Sequence, residues 1–386
     1  MFRAVAVSVA AVLLAFQVVR TTTMERPGPR VTLGARLWPA HPAIVLDRTM
    51  AEIGSYARNG QKPSPATLQR VADVAKSMPL AAEPFLIHGA LAQQARDEAR
   101  AERLFVEARN RDPRSEAARY FLADRYLRSG RTPQALKEIA VFSRLVPTAS
   151  AQFAPALASF ARAPGTTPQL KSFFRSSPEF EPVVLNELAA DARNADLIVA
   201  LATADKTPQP WKERIVTTLV EQRQLNKAYE IWMKVAGVRG AAGGIFNPKF
   251  EQVEAPPPFN WQYSTRGGVA EPGGDGRLQV IYYGREDTVI AQQLLVLAPG
   301  RYRLAMDVSG QAGDGSGVAW SLACVPGNQP ILSLPLKQGQ RSVTADFAVP
   351  SGCSAQRLQL NGSVGDFPQS LDFTVAGLTL TRIAGQ

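Results

Sequence analysis

Few side chains in this 386-residue chain have the types and spacings that covalent chemistry needs. There are two histidines, His41 in a proline-containing stretch and His88 at a helical position, which is too few for a multi-histidine metal site and a poor basis for a histidine-dependent triad. The two cysteines, Cys324 and Cys353, stand in no redox or metal-binding spacing. Gly310-Gln-Ala-Gly-Asp-Gly-Ser-Gly317 is rich in glycine but joins two strand-like runs with no helix behind it, so it reads as a loop and not a phosphate cradle. No catalytic residue, cofactor or metal is expected. A pair of carboxylates could still hydrolyse a glycosidic bond in almost any fold, which leaves a polysaccharide hydrolase or lyase as the enzymatic alternative.

Non-covalent recognition has a better supply. Trp261, Tyr263, Tyr282, Tyr283 and Trp320 offer flat faces of the kind pyranose rings stack on. Val318, Trp320, Leu322 and Cys324 share one parity, which places Trp320 in a core, and Phe259, Trp261 and Tyr263 share one face likewise. Tyr282 and Tyr283 are adjacent and must point to opposite sides of a sheet, so at least one leaves its own core. The expected ligand contacts are Trp261, Tyr282, Tyr283 and Arg285.

These residues need strands to position them, and the chain supplies strands after Gly237. A glycine-rich segment, 237–244, reads as a hinge, and from 245 to 386 helical spacing gives way to short alternating runs. The runs are Phe246 to Gln252, Phe259 to Ser264, Leu278 to Tyr283, Thr288 to Leu297, Tyr302 to Val308, Val318 to Cys324, Ile331 to Leu334, Ser342 to Val349, Arg357 to Leu360 and Phe373 to Ile383. About ten strands split by turns predict an antiparallel sandwich of jelly-roll type. Asn247-Pro-Lys-Phe-Glu251 with Trp261, and the closing run Phe373-Thr-Val-Ala-Gly-Leu-Thr-Leu380, resemble the two ends of the non-catalytic carbohydrate-binding jelly rolls. That resemblance implies glycan binding. The family often carries an Asp-Asp pair in the closing strand for a structural calcium; Ala376-Gly377 stand there here, and Glu251 and Asp372 alone are too few for a hard cation.

Ahead of the hinge the organising signal is a proline at Pro79, Pro113, Pro147 and Pro182, spaced 34, 34 and 35 residues apart. Phe85, Gly89, Ala101, Phe105 and Ala108 precede Pro113, and Leu122, Tyr126, Ala135 and Ile139 precede Pro147. With Gly130-Arg-Thr-Pro-Gln134 echoed by Gly165-Thr-Thr-Pro-Gln169, the spacing resembles the tetratricopeptide repeat. A solenoid of helix pairs over 47–236 follows, its first pair running from Arg48 through Ala66 to Ser77, its later helices over Val183 to Ala192, Asp196 to Ala204, Trp211 to Glu221 and Gln224 to Ala236. Such stacks hold other molecules on a curved surface, so a protein partner is expected there. Trp211 and Trp232 read as core.

Residues 1–20 open Met1-Phe2-Arg3 and run apolar from Ala4 to Val19, which reads as a signal anchor or signal peptide. Residues 21–46, with Pro27, Pro29, Pro39 and Pro42, read as a spacer. In an exported chain Cys324 and Cys353 would form a disulfide. The net charge of +10 is uneven, with 33 basic and 22 acidic side chains before residue 241 and 10 and 11 after it. Phospholipid head groups, an acidic polysaccharide or an acidic protein would suit that charge, while basic residues scattered among Ala and Leu do not suit nucleic acid. The fold class expected is therefore multidomain α plus β: membrane anchor, tetratricopeptide-like solenoid, antiparallel sandwich. The expected function is a non-catalytic scaffold on the periplasmic side of the inner membrane of a Gram-negative bacterium, or free in the periplasm if the signal is cleaved. It would serve surface polysaccharide assembly or export, with a purely protein-binding envelope scaffold as the alternative.

Overall fold

The computed structural model describes residues 38–203, 208–238, 244–311, 314–365 and 369–384, together with Gln17 and Arg36. The expected anchor therefore lies outside the described residues, as do most of the spacer and Gly240 and Gly243 of the glycine-rich segment. Among the described residues no helix is long and apolar enough to cross a membrane. The chain divides into two compact units, Met1–Ala149 and Ser150–Gln386.

Among the described residues the first unit is three helix pairs: α1 (Pro42–Arg58) with α2 (Pro65–Ser77), α3 (Glu83–Gln94) with α4 (Glu98–Arg111), and α5 (Glu116–Arg128) with α6 (Thr132–Leu145). α1 begins at Pro42, inside the stretch read as spacer, because Ile44 and Leu46 have an apolar face to bury. Ser64, Asp97 and Ser115 cap α2, α4 and α5 by accepting from backbone amides three residues on. Pro79, Pro113 and Pro147 each stand directly after a C-cap, Met78, Asp112 or Val146, where a residue without an amide proton stops the helix. The small residues of the repeat are spacers between helices. A Cβ on Gly89 would lie 2.7 Å from the Phe105 ring, Ala101, Ala123 and Ala135 are fully enclosed, and Ala101 and Ala135 share a cluster with Phe105, Leu122 and Tyr126.

The second unit opens with α7 (Ala149–Ala161), α8 (Thr167–Ser176), α9 (Phe180–Leu188), a 3-10 turn (Ala192–Asn194), α10 (Ala195–Leu201), α11 (Pro210–Glu221) and α12 (Leu225–Val235). The Gly-x-Thr-Pro echo does the same work twice, since Gly130 and Gly165 both take positive φ just before a helix with proline in its first turn. Pro182 does not mark the repeat end as its spacing predicts. α8 has 10 residues where α6 has 14, so the helix stops a turn early at Ser177-Pro178, and Pro182 sits in the first turn of α9.

Among the described residues the sandwich has two five-stranded antiparallel sheets. The first has the order β1-β4-β9-β6-β7, from β1 (Gln262–Tyr263), β4 (Thr288–Leu295), β9 (Ala355–Gly362), β6 (Asp314–Val325) and β7 (Pro330–Lys337). The second has the order β2-β3-β10-β5-β8, from β2 (Gly268–Pro272), β3 (Arg277–Tyr282), β10 (Leu371–Arg382), β5 (Gly300–Gln311) and β8 (Ser342–Val349). Leu278, Val280, Ile290, Leu304, Trp320, Leu360 and Phe373 fill the space between them.

Phe259 to Ser264 shortens to β1, Gln262–Tyr263, and two other strand expectations change. Phe246 to Gln252 is not a strand: Asn247 and Phe250 take positive φ, and the Asn247 side chain binds both the N–H and the C=O of Glu251, at 2.8 and 2.6 Å. The Phe246 backbone is held instead by buried Gln293, whose side chain accepts from its N–H and donates to its C=O, both at 2.9 Å. The strand missed is β2, which opens on a glycine and closes on a proline and so reads as a turn. Trp232, fully enclosed on α12, meets Phe246 edge-on at 4.9 Å and Phe259 at 5.6 Å, and its indole donates to the carbonyl of Pro256 at 2.7 Å. The last helix of this unit is thus sewn to the entry of the sandwich by burial of about 200 Å² of indole surface.

Candidate functional site

The outer face of the first sheet carries the arrangement best suited to recognition. β9 is its central strand, and the alternation Arg357-Leu-Gln-Leu-Asn361 turns Leu358 and Leu360 into the core and Arg357, Gln359 and Asn361 outward. Strand register then lines up one transverse row: Gln262 on β1 opposite Gln292 on β4, Gln292 opposite Gln359 on β9, Gln359 opposite Ser321 on β6, and Ser321 opposite Ser333 on β7. The three amides are chained. Gln359 donates to the side-chain carbonyl of Gln292 at 2.9 Å, and Gln292 donates to that of Gln262 at 2.9 Å. In the next row Asn361 donates to the Ser321 hydroxyl at 2.7 Å, with Ala319 beside it.

This chaining fixes each amide plane and leaves capacity outward. The Gln262 amide group keeps both N–H donors, the Gln359 carbonyl keeps its acceptor sites, and the hydroxyl of Ser333 is exposed. Successive groups lie about 4.8 Å apart, the spacing of neighbouring strands. The row is uncharged.

The outer face of the second sheet differs. Arg303 makes a two-pronged ion pair with Asp346, at 2.7 and 2.8 Å, and Glu271, Arg277, Asp307 and Asp372 stand on the same side. The Arg303 guanidinium beside Asp346 holds that carboxyl below the usual carboxylate range.

The residues expected to contact ligand fall in three places. Trp261 is in the core against Phe250 and Trp320, with its indole donating to the Asn247 carbonyl at 2.9 Å. Tyr282 is fully buried, and its hydroxyl donates to the Glu286 carbonyl at 3.0 Å. Neither ring face is open to a ligand, because an aromatic ring on the inward parity of a sandwich contributes more by burial than it could outside. Tyr283 and Arg285 are exposed in the turn between β3 and β4, away from the amide row. Tyr263 also turns inward, and burial pushes its hydroxyl well above the ordinary tyrosine range. Gln262, Gln292, Gln359, Asn361, Ser321 and Ser333 were not singled out from sequence, although the alternation at 357–361 marks three neighbouring outward positions.

Cys324, at the end of β6, and Cys353, just ahead of β9, are joined by a disulfide with α-carbons 5.4 Å apart. β6 and β9 are hydrogen-bonded neighbours, so the bond fastens two strands that carry the row.

In the first unit the half-buried arginines are paired with carboxylates. The carboxylate of Glu138, buried on α6, receives Arg109 of α4 and Arg119 of α5, each at 2.5 Å. Glu102 of α4 receives Arg131 at 2.5 Å and Arg125 at 3.4 Å. The hydrogen bond from Arg131 lowers the Glu102 pKa against the opposing effect of burial. His88 is half-buried on α3, and desolvation, helped by Arg100, keeps it below the ordinary histidine range. No group of three or more potential metal ligands occurs among the described residues.

No protein-family model matches the chain, and no curated protein matches it. Among solved structures it is similar to a CBM4 structure, with TM-score 0.29 and 14% identity over 36% of this chain and 99% of that one. It is similar to YrrB, a TPR protein with an unusual peptide-binding site, with TM-score 0.25 and 13% identity over 45% of this chain and 93% of that one. TmCBM61, solved in complex with beta-1,4-galactotriose, gives TM-score 0.25 and 12% identity over 37% and 97%. By its own geometry the chain is a tetratricopeptide-like helical repeat followed by an antiparallel sandwich of two five-stranded sheets.

Proposed function

We propose that the chain is a non-catalytic adaptor that binds a polysaccharide across the first sheet of its sandwich and a protein on its helical repeat. The observation that carries the glycan half is the row Gln262, Gln292, Gln359, Ser321 and Ser333. Side-chain amides and hydroxyls are the groups that match sugar hydroxyls, which both donate and accept. A strand spacing of about 4.8 Å is close to the length of one pyranose in an extended chain, so successive strands can meet successive sugars. Because Gln262, Gln292 and Gln359 are already oriented by one another, binding need not freeze three long side chains. The Cys324–Cys353 disulfide supports residence in an oxidising compartment, and with the apolar start of the chain it favours the periplasmic side of the inner membrane. In that setting the adaptor would serve assembly or export of a surface polysaccharide.

The test is a glycan array probed with the purified chain and with a Gln292→Ala/Gln359→Ala double variant. Binding of one glycan class by the parent, weakened about tenfold in the double variant with melting unchanged, is the expected result. An array on which the two proteins score alike would remove the proposal.

A further inference from the structure

One charged side chain, Arg357, projects among the rows just described. It projects from β9, the central strand, in the row Leu294, Arg357, Ala323; the rows beyond it are Gln292, Gln359, Ser321, Ser333 and then Val289, Asn361, Ala319, Pro335. Every other side chain in these three rows is uncharged. Arg357 is half-buried, and among the described residues no carboxylate or carbonyl accepts from its guanidinium. Elsewhere the chain pairs its half-buried arginines, Arg109 and Arg119 with Glu138 and Arg125 and Arg131 with Glu102, and the exposed Arg303 of the second sheet is paired with Asp346. A planar fork of donors beside Leu294 and Ala323, two residues from the Gln359 carbonyl, has the geometry that takes a carboxylate two-pronged.

We infer that the glycan recognised on this face is acidic, a polysaccharide containing uronate residues, with the amide row taking hydroxyls and Arg357 taking a sugar carboxylate. This rests on the glycan reading of the same face and adds the substrate class to it. Charge on the sugar also answers the charge of the site: Arg357 is the one charged side chain in these three rows, so an anionic chain is drawn in more strongly than a neutral one.

The probes are oligomers of alginate and of polygalacturonate, each compared with its carboxyl-reduced form, which keeps the ring hydroxyls and loses the charge. Affinities are measured by calorimetry on the full chain at low and high salt. At least one acidic oligomer should bind about tenfold or more tighter than its reduced counterpart, and the advantage should shrink as salt is raised. Arg357→Gln should bring the acidic form down to the affinity of the reduced one, whereas Gln359→Ala should weaken both. Arg357→Lys, which keeps the charge without the fork, should fall between and guards against misreading a folding defect. Equal affinity for acidic and reduced oligomers, or a preference that survives Arg357→Gln, would overturn the inference and leave the glycan reading standing. Failure of every oligomer, acidic and reduced, to bind would overturn both.

Discussion

The helical repeat of the first unit and the first sheet of the sandwich use polar side chains in opposite ways. In the repeat, Glu138 and Glu102 each gather two arginines from different helices, so charge is spent on holding helix pairs in register. On the sheet, Gln262, Gln292 and Gln359 bond to one another and Asn361 to Ser321, while Arg357 bonds to nothing described. Polar groups consumed inside a fold build it; polar groups aligned, oriented and left with free capacity are available to something else. Net charge alone hides this distinction, because the arginine-rich half is the one whose enclosed arginines are already taken.

The sharpest way to break the comparison is to remove a carboxylate from the repeat. Glu138→Ala strands Arg109 and Arg119 around an empty buried position and should cost about 3 kcal/mol, read as the denaturation midpoint of the full chain. An unchanged midpoint would mean the pair is ornamental and the contrast false. Cys353→Ser comes next, with an expected loss of about 2 to 4 kcal/mol confined to the transition of the second unit, and no free thiol in the native parent before reduction. Ala135→Phe should cost about 1 to 3 kcal/mol, since Ala135 has no exposed surface and packs in one cluster with Phe105, Leu122 and Tyr126.

The smallest effect concerns pH. The Glu102 pKa is lowered in the folded state, chiefly by its hydrogen bond from Arg131, so the stability it contributes is present above the unfolded carboxylate value and lost as pH falls through the folded one. Glu102→Gln should therefore melt below the parent at neutral pH and converge with it in acid. A gap that persists at low pH would point to packing and not to ionisation.

Local signals carried much of the fold. Pro79, Pro113 and Pro147 stop helices as their spacing implies, and Gly89 is small because Phe105 lies on it. Alternating runs found most of the strands, and failed where backbone chemistry overrode alternation: at Asn247, whose side chain turns the chain, and at Gly268 to Pro272, whose ends look like turns. The candidate site was harder to see. Attention to aromatic faces led to Trp261 and Tyr282, which burial claims for the core. The amide row depends on the order β1-β4-β9-β6-β7, which brings Gln262, Gln292, Gln359, Ser321 and Ser333 together from distant parts of the chain. Nothing in any one run reveals which glutamine will stand opposite which.

The central claim is that the neutral row of the first sheet, and not the exposed turn at Tyr283 and Arg285 or the charged second sheet, receives the glycan. Side-chain amide resonances test it directly. On titration with an oligosaccharide that the chain binds, the amide groups of Gln262, Gln292, Gln359 and Asn361 should shift together, while that of Gln279, exposed on the second sheet, should not move. Shifts confined to Gln279 or to the backbone around Tyr283 and Arg285, with these four amides of the first sheet unmoved, would contradict the account.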